Sequence, residues 1–367
     1  MIEPVNVPML PETKPRRPMR LAIQLLGFLV GLAVLAWCAK MAFSEENREG
    51  LAKLGEASAG AVTALLLLSA LGLIINGLLF WLVIRPVRGI QLSGMIATNA
   101  LATFLSYLPF KVSVMVRVAV HRQRDRVPIA LIGPWFAAVG VVFGATVAPI
   151  LLLAAWRPKV DAVWFLMLAG LLILAAGVLS SMARAIGGQR GLRLVQRLAD
   201  RQPIGLVRRL VRSDMFVLFD EGLAMLASFR QSLAAIGLRL ADTVSMAARF
   251  YIASRIVGTP LPAGESLVGS VVYLTIGIFS PIGALGAREG GTAGLMSWLG
   301  AFDLETLALI AIVVTGAELI VVTFGAAAGI AWLRPDRLIR GASRAADGGD
   351  LSSADADRAG QPEPDDQ

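Results

Sequence analysis

Apolar residues run in long stretches separated by short clusters rich in arginine, a pattern that belongs to a chain crossing a bilayer repeatedly. Runs of about 20 residues or more are needed to cross a hydrocarbon core. Such runs predict spanning helices over 21–41, 59–84, 128–155, 163–183, 233–257 and 304–333. Two further apolar stretches, 90–120 and 264–300, are each broken near the middle, the first at Pro109 and the second at Pro281 with its neighbouring glycines. Proline removes a backbone donor and restricts the residue before it, so each break separates two short helical arms. The first stretch begins beside Arg85 and Arg88 and ends beside Arg122, Arg124 and Arg126, so it leaves on the side it entered, and we read it as a re-entrant hairpin. The second is either a hairpin entered from outside or two full spans. The predicted fold is an all-α polytopic membrane protein of roughly six to eight spanning helices, with two broken, re-entrant hairpins of opposite orientation.

Charge sets the orientation. Lys14, Arg16, Arg17 and Arg20 make residues 1–20 a basic cytoplasmic segment. The connection at 43–58 carries Glu45, Glu46, Glu49 and Glu56, as expected outside. The segment from Arg184 to Arg212 is strongly basic and reads as cytoplasmic, with an interfacial amphipathic helix around Leu192, Val195, Leu198 and Ala199. Residues 215–232 are expected at the cytoplasmic interface. Arg334, Arg337 and Arg340 then place the C-terminus in the cytoplasm, so residues 21–333 form the membrane domain. Residues 334–367 form a cytoplasmic tail too polar to bury a core, predicted to be disordered. The expected location is the cytoplasmic (inner) membrane.

Composition narrows the chemistry. Hydrophobic residues make up 56% of the chain and charged residues 16%, and a single Cys38 and a single His121 leave no material for a disulfide framework or a Cys/His metal site. No cofactor and no metal are expected. The net charge of +8 is accounted for by the inner connections, so nucleic acid is not an expected partner. Cys38 reads as a packing residue. Arg117, His121 and Arg124 align at helical spacing and read as a positive-inside anchor, with a headgroup cluster as the other reading and His121 solvated.

Ionisable residues inside apolar stretches are the candidate site, because each costs about 2.5–3.5 kcal/mol at mid-depth. They are Arg239 and Asp242, three apart and able to pair, with Arg249 and Arg255 in the same span, Glu318, and Arg288 with Glu289 beyond the second break. Ser280 followed by Pro281 fits an N-cap and first helical position, which starts a half-helix whose free N–H groups suit an anion. Gly283, Gly286, Gly290 and Gly294 recur at helical spacing and clear one face for a helix or a headgroup. Arg288 suits a bidentate phosphate contact, and Glu289 either holds its surroundings in register or takes a proton or a cationic headgroup. In the first stretch, Pro109, Lys111 and Arg117 occupy comparable places.

The run Pro281, Gly283, Leu285, Gly286, Arg288, Glu289 resembles the Pro-x-Gly-x-Leu-Gly-x-Arg-Glu signature of the lysylphosphatidylglycerol synthase transmembrane, or flippase-like, family, and Pro109, Lys111 and Arg117 are similar to its first motif. Phe110, Ser113 and Val114 depart from that motif, where the family commonly carries Gly, Gly and an acidic residue. The resemblance covers the spans from 21 to 333 and lacks the aminoacyl-transferase domain. It implies a stand-alone flippase-like protein that moves lipids with phosphate-bearing or other polar headgroups and needs no cofactor. Its partners would be membrane lipids with anionic headgroups and a lipid-biosynthesis enzyme. Two other classes stay open: a membrane-embedded transferase acting on a lipid or polyprenyl phosphate, and a non-catalytic partner of a lipid-modifying complex.

Overall fold

The computed structural model describes residues 17–108, 112–157, 160–187, 189–200, 211–280, 285–300 and 302–333. Among them are thirteen α-helices and no strand. The N-terminal half holds α1 (Arg17–Ala42), α2 (Arg48–Gly55), α3 (Ala59–Ile84), α4 (Leu92–Leu105), α5 (Val112–Gln123), α6 (Ile129–Trp156) and α7 (Ala162–Ile186). There follow α8 (Gln189–Asp200), α9 (Asp214–Ala224), α10 (Phe229–Val257), α11 (Ala263–Phe279), α12 (Ala287–Trp298) and α13 (Leu304–Leu333). The predicted all-α, multi-pass architecture is the one observed. Helices α3, α6, α7 and α13 are long and apolar enough to cross a membrane. Large apolar side chains stand exposed along them, including Leu67, Leu152, Leu166 and Phe324, as a lipid-facing surface requires.

Local chemistry sets the helix ends. Ser58 caps α3 by accepting from the Ala61 N–H at 3.2 Å, and Asp161 caps α7 by accepting from the Trp164 N–H at 2.9 Å. Gly258 ends α10 at φ 87°, a left-handed conformation that suits glycine, with its N–H on the Arg255 and Ser254 carbonyls. The acidic connection after α1 holds the short helix α2, which the sequence reading left as loop. Asn47 ties this segment down by donating to the Met41 and Glu305 carbonyls at 3.0 and 3.1 Å.

Both broken stretches are pairs of short helices, α4 with α5 and α11 with α12, each pair packed on itself. They meet around α10 and α13: α13 lies along α4 and α12, while α10 packs on α3, α11, α7 and α13. Helix α10, whose Arg239, Asp242 and Arg249 are all buried, is the hub of the bundle. Small residues permit the contacts. A Cβ added at Gly329 of α13 would lie 2.7 Å from the Ala97 carbonyl oxygen of α4, and one at Gly222 of α9 would lie 2.3 Å from that of Pro134 in α6. Gly329→Ala must push backbone against backbone, and we expect it to destabilise the protein by about 1–3 kcal/mol. Gly170→Ala, with open space around it, serves as the neutral control in thermal unfolding of the detergent-solubilised protein.

Candidate functional site

Helix α10 turns Arg239, Asp242, Met246 and Arg249 to one face, at spacings of three, four and three residues. That face lines a cavity of about 420 Å³. Around it stand Asn76 and Phe80 of α3, Arg117 of α5, Phe136 and Phe143 of α6, Arg288 of α12 and Glu318 of α13. Both sequence breaks border the same space: Ser106 and Ser113 flank the first on the cavity wall, and Phe279 and Arg288 flank the second.

The charged groups are buried and mostly paired. Arg239 Nη1 donates to Asp242 Oδ2 at 2.8 Å, and its guanidinium carbon lies 5.6 Å from the centre of the Phe143 ring. Glu318 is shared. Its Oε2 accepts from Arg249 Nη1 at 3.0 Å and Arg288 Nη2 at 3.1 Å, while its Oε1 accepts from both terminal nitrogens of Arg288 at 3.2 Å and from the Tyr107 hydroxyl at 2.9 Å. Two positive charges and a phenol on one carboxylate keep the cluster affordable in a low-dielectric setting, where a lone charge would not be. Tyr273 supports Arg288 from below, its ring centre 3.9 Å from the guanidinium carbon, and Gly277 lets the chain pass, since a Cβ there would sit 3.0 Å from Arg288 Cδ.

Arg117 is different. It is 7% exposed, donates to Asn99 Oδ1 at 2.8 Å, and stacks 4.1 Å over Phe80. No carboxylate lies within ion-pair reach of it among the described residues, and its Nη1 has no hydrogen-bond partner.

Of the residues singled out in the sequence, the cavity gathers Arg117, Arg239, Asp242, Arg288 and Glu318. Pro109, Lys111, Pro281 and Gly283 lie outside the described residues. Ser280 is the C-cap of α11, its N–H on the Ile276 carbonyl at 2.8 Å, and the residues with which a half-helix would begin at Pro281 lie outside the described residues. Helix α12 starts at Gly286, whose φ of 78° selects glycine and whose N–H donates to Glu289 Oε2 at 2.6 Å. The other oxygen of Glu289 accepts from Thr315 at 2.6 Å, so this carboxylate fixes the start of α12 against α13 and stands off the cavity wall. Gly290 packs against Val34 and Cys38 of α1, and so serves helix contact rather than a headgroup. Cys38 is buried, in agreement with its reading as a packing residue.

His121 is not solvated: it is fully buried, its Nδ1 2.7 Å from Asp125 Oδ2 and its ring against Trp135. Arg124 lies in the notch left by Gly94 and stacks 4.1 Å over Trp332. Outside the bundle, Glu45 and Glu49 pair with Arg48 and Lys53 at the surface. Sequence reasoning marked Arg249 as an intramembrane charge without placing it in the site, and it missed Tyr107, Tyr273 and Asn99. For Arg249 the signal was present, because it continues the face begun by Arg239 and Asp242.

At its edge the cavity turns apolar. Gly140 of α6 and Ile278 and Phe279 of α11 line it and are exposed on the outside of the bundle, Phe279 to 70%. Phe143 and Phe279 face each other across this edge with ring centres 6.5 Å apart. One cavity therefore joins a buried guanidinium cluster to the lipid-facing flank between α6 and α11. A search of known families finds that the family described as the lysylphosphatidylglycerol synthase TM region matches residues 24–326. No curated protein and no solved structure matches the chain.

Proposed function

We propose that this chain, which belongs to the family of the lysylphosphatidylglycerol synthase TM region, translocates lipids with a phosphate-bearing or other polar headgroup across the cytoplasmic membrane. The observation that carries the proposal is the amphipathic character of the cavity. Arginines inside it suit a polar headgroup, and the edge at Gly140, Ile278 and Phe279 lets hydrocarbon tails stay in the bilayer. The headgroup would leave water for a preformed cluster of guanidiniums, which replaces part of the hydration it loses.

The helix lengths support re-entrance. The arms α4, α5, α11 and α12 have 14, 12, 17 and 12 residues. At 1.5 Å per residue they reach about 18–26 Å, short of a hydrocarbon core of about 30 Å. In this reading both hairpins enter part-way, the first from the cytoplasm and the second from outside. Their tips meet at the cavity, and both chain termini lie in the cytoplasm.

The protein reconstituted in liposomes should accelerate transbilayer movement of a fluorescent short-chain phospholipid, read by quenching of the outer leaflet. A rate equal to that of protein-free vesicles overturns the proposal. Topology has its own readout. In a Cys38→Ser background, Leu108→Cys at the first tip should resist a membrane-impermeant maleimide added from outside, whereas Glu56→Cys should react. Equal labelling of the two would make the first stretch a pair of full spans.

A further inference from the structure

The cavity is unbalanced in charge. Among the described residues, four guanidiniums line it, those of Arg117, Arg239, Arg249 and Arg288, against the two carboxylates of Asp242 and Glu318, a surplus of two positive charges. Glu289 stands behind the wall with both oxygens occupied by Gly286 and Thr315, and counting it still leaves a surplus of one. Both lining carboxylates are already paired with arginines, so a cationic group entering the cavity would add to a wall that carries net positive charge. Arg117 concentrates the imbalance, being buried on the cavity wall with an amide and an aromatic ring as its neighbours in place of a counter-ion. A buried charge left so is costly unless something neutralises it.

Resting on the translocation reading, we infer that the cavity is the seat of a lipid phosphomonoester, a headgroup without an amine, with Arg117 as its main phosphate contact. A phosphomonoester carries about −1.5 to −2 charge at neutral pH, which matches the surplus of two. It also offers three acceptor oxygens to the Arg117 fork and to the neighbouring Arg239 and Arg288. A zwitterionic headgroup fits worse, because its ammonium would bring a further positive charge into a cavity that already carries a surplus.

The test is a titration of the full-length protein in detergent with dioctanoyl phosphatidic acid, dioctanoyl phosphatidylethanolamine and inorganic phosphate, read by calorimetry. Phosphatidic acid should bind at least about tenfold more tightly than either of the others, or about 1.4 kcal/mol. Arg117→Gln should remove most of that preference and Arg117→Lys should keep part of it, with an unchanged elution profile on gel filtration as the check on folding. Equal affinity for phosphatidic acid and phosphatidylethanolamine overturns the inference. So does inorganic phosphate binding as tightly as the lipid, which would make this a site for free anions. A folded Arg117→Gln variant with undiminished preference overturns the role of Arg117, and the wild-type selectivity decides the charge class on its own. Selective binding without transbilayer movement in liposomes would defeat translocation and leave this inference standing. Movement of phosphatidylethanolamine as fast as phosphatidic acid would do the reverse.

Discussion

Glu318→Gln is expected to cost about 3–5 kcal/mol of stability, the largest effect of any single change in the bundle, because it strands two buried guanidiniums at once. Arg249 and Arg288 have side chains only 4% and 8% exposed, and both draw their counter-charge from this carboxylate. Glutamine keeps the volume and one acceptor oxygen, so the loss reports charge rather than packing. The measurement is thermal unfolding in detergent, with Glu318→Gln combined with Arg249→Gln as the second arm. Removing one stranded cation along with the carboxylate should recover part of the loss. A Glu318→Gln variant within about 1 kcal/mol of the wild type would mean that the carboxylate is not what keeps these arginines in the bundle.

Arg288→Ala should abolish lipid movement while leaving insertion intact. Arg249 remains on Glu318 in that variant, so the carboxylate is not left without a partner. The cavity, however, loses the guanidinium that borders the second break. Truncating one partner of a buried charged contact costs about 2–5 kcal/mol. On the usual conversion this predicts a fall of at least tenfold in translocation rate. Arg288→Lys should rescue little, because Arg288 uses both terminal nitrogens on Glu318 and lies flat on Tyr273, and an ammonium can do neither. Wild-type rates for Arg288→Ala in vesicles with normal incorporation would remove Arg288 from the transport path.

The helices were legible in the sequence because hydropathy over about 20 residues is a long, redundant signal. The runs at 59–84 and 304–333 became α3 and α13 with the same bounds. The intramembrane charges were legible for a related reason, since hydrocarbon makes each of them conspicuous. What could not be read was their convergence. Arg117 and Glu318 are 201 positions apart in the chain, and nothing local says that they face one space. Short-range chemistry has two meanings at Ser280: before Pro281 it has the form of a helix start, and it also closes α11. The start of α12 is written in Gly286 and Glu289, three residues apart, a glycine able to take positive φ and a carboxylate able to reach back to its N–H. The short helix α2 was missed because its pull toward structure comes from Asn47 bonding to the start of α13, a tertiary contact.

Oε1 of Glu318 accepts from Tyr107 at the end of the first hairpin's leading arm and from Arg288 of the second. The two hairpins thus share one hydrogen-bond acceptor, in addition to the packing of α13 on both α4 and α12. In the proposed translocation, an anion that drew Arg288 aside would leave Tyr107 as the remaining donor to that oxygen, which couples occupancy of the cavity to this one link between the hairpins.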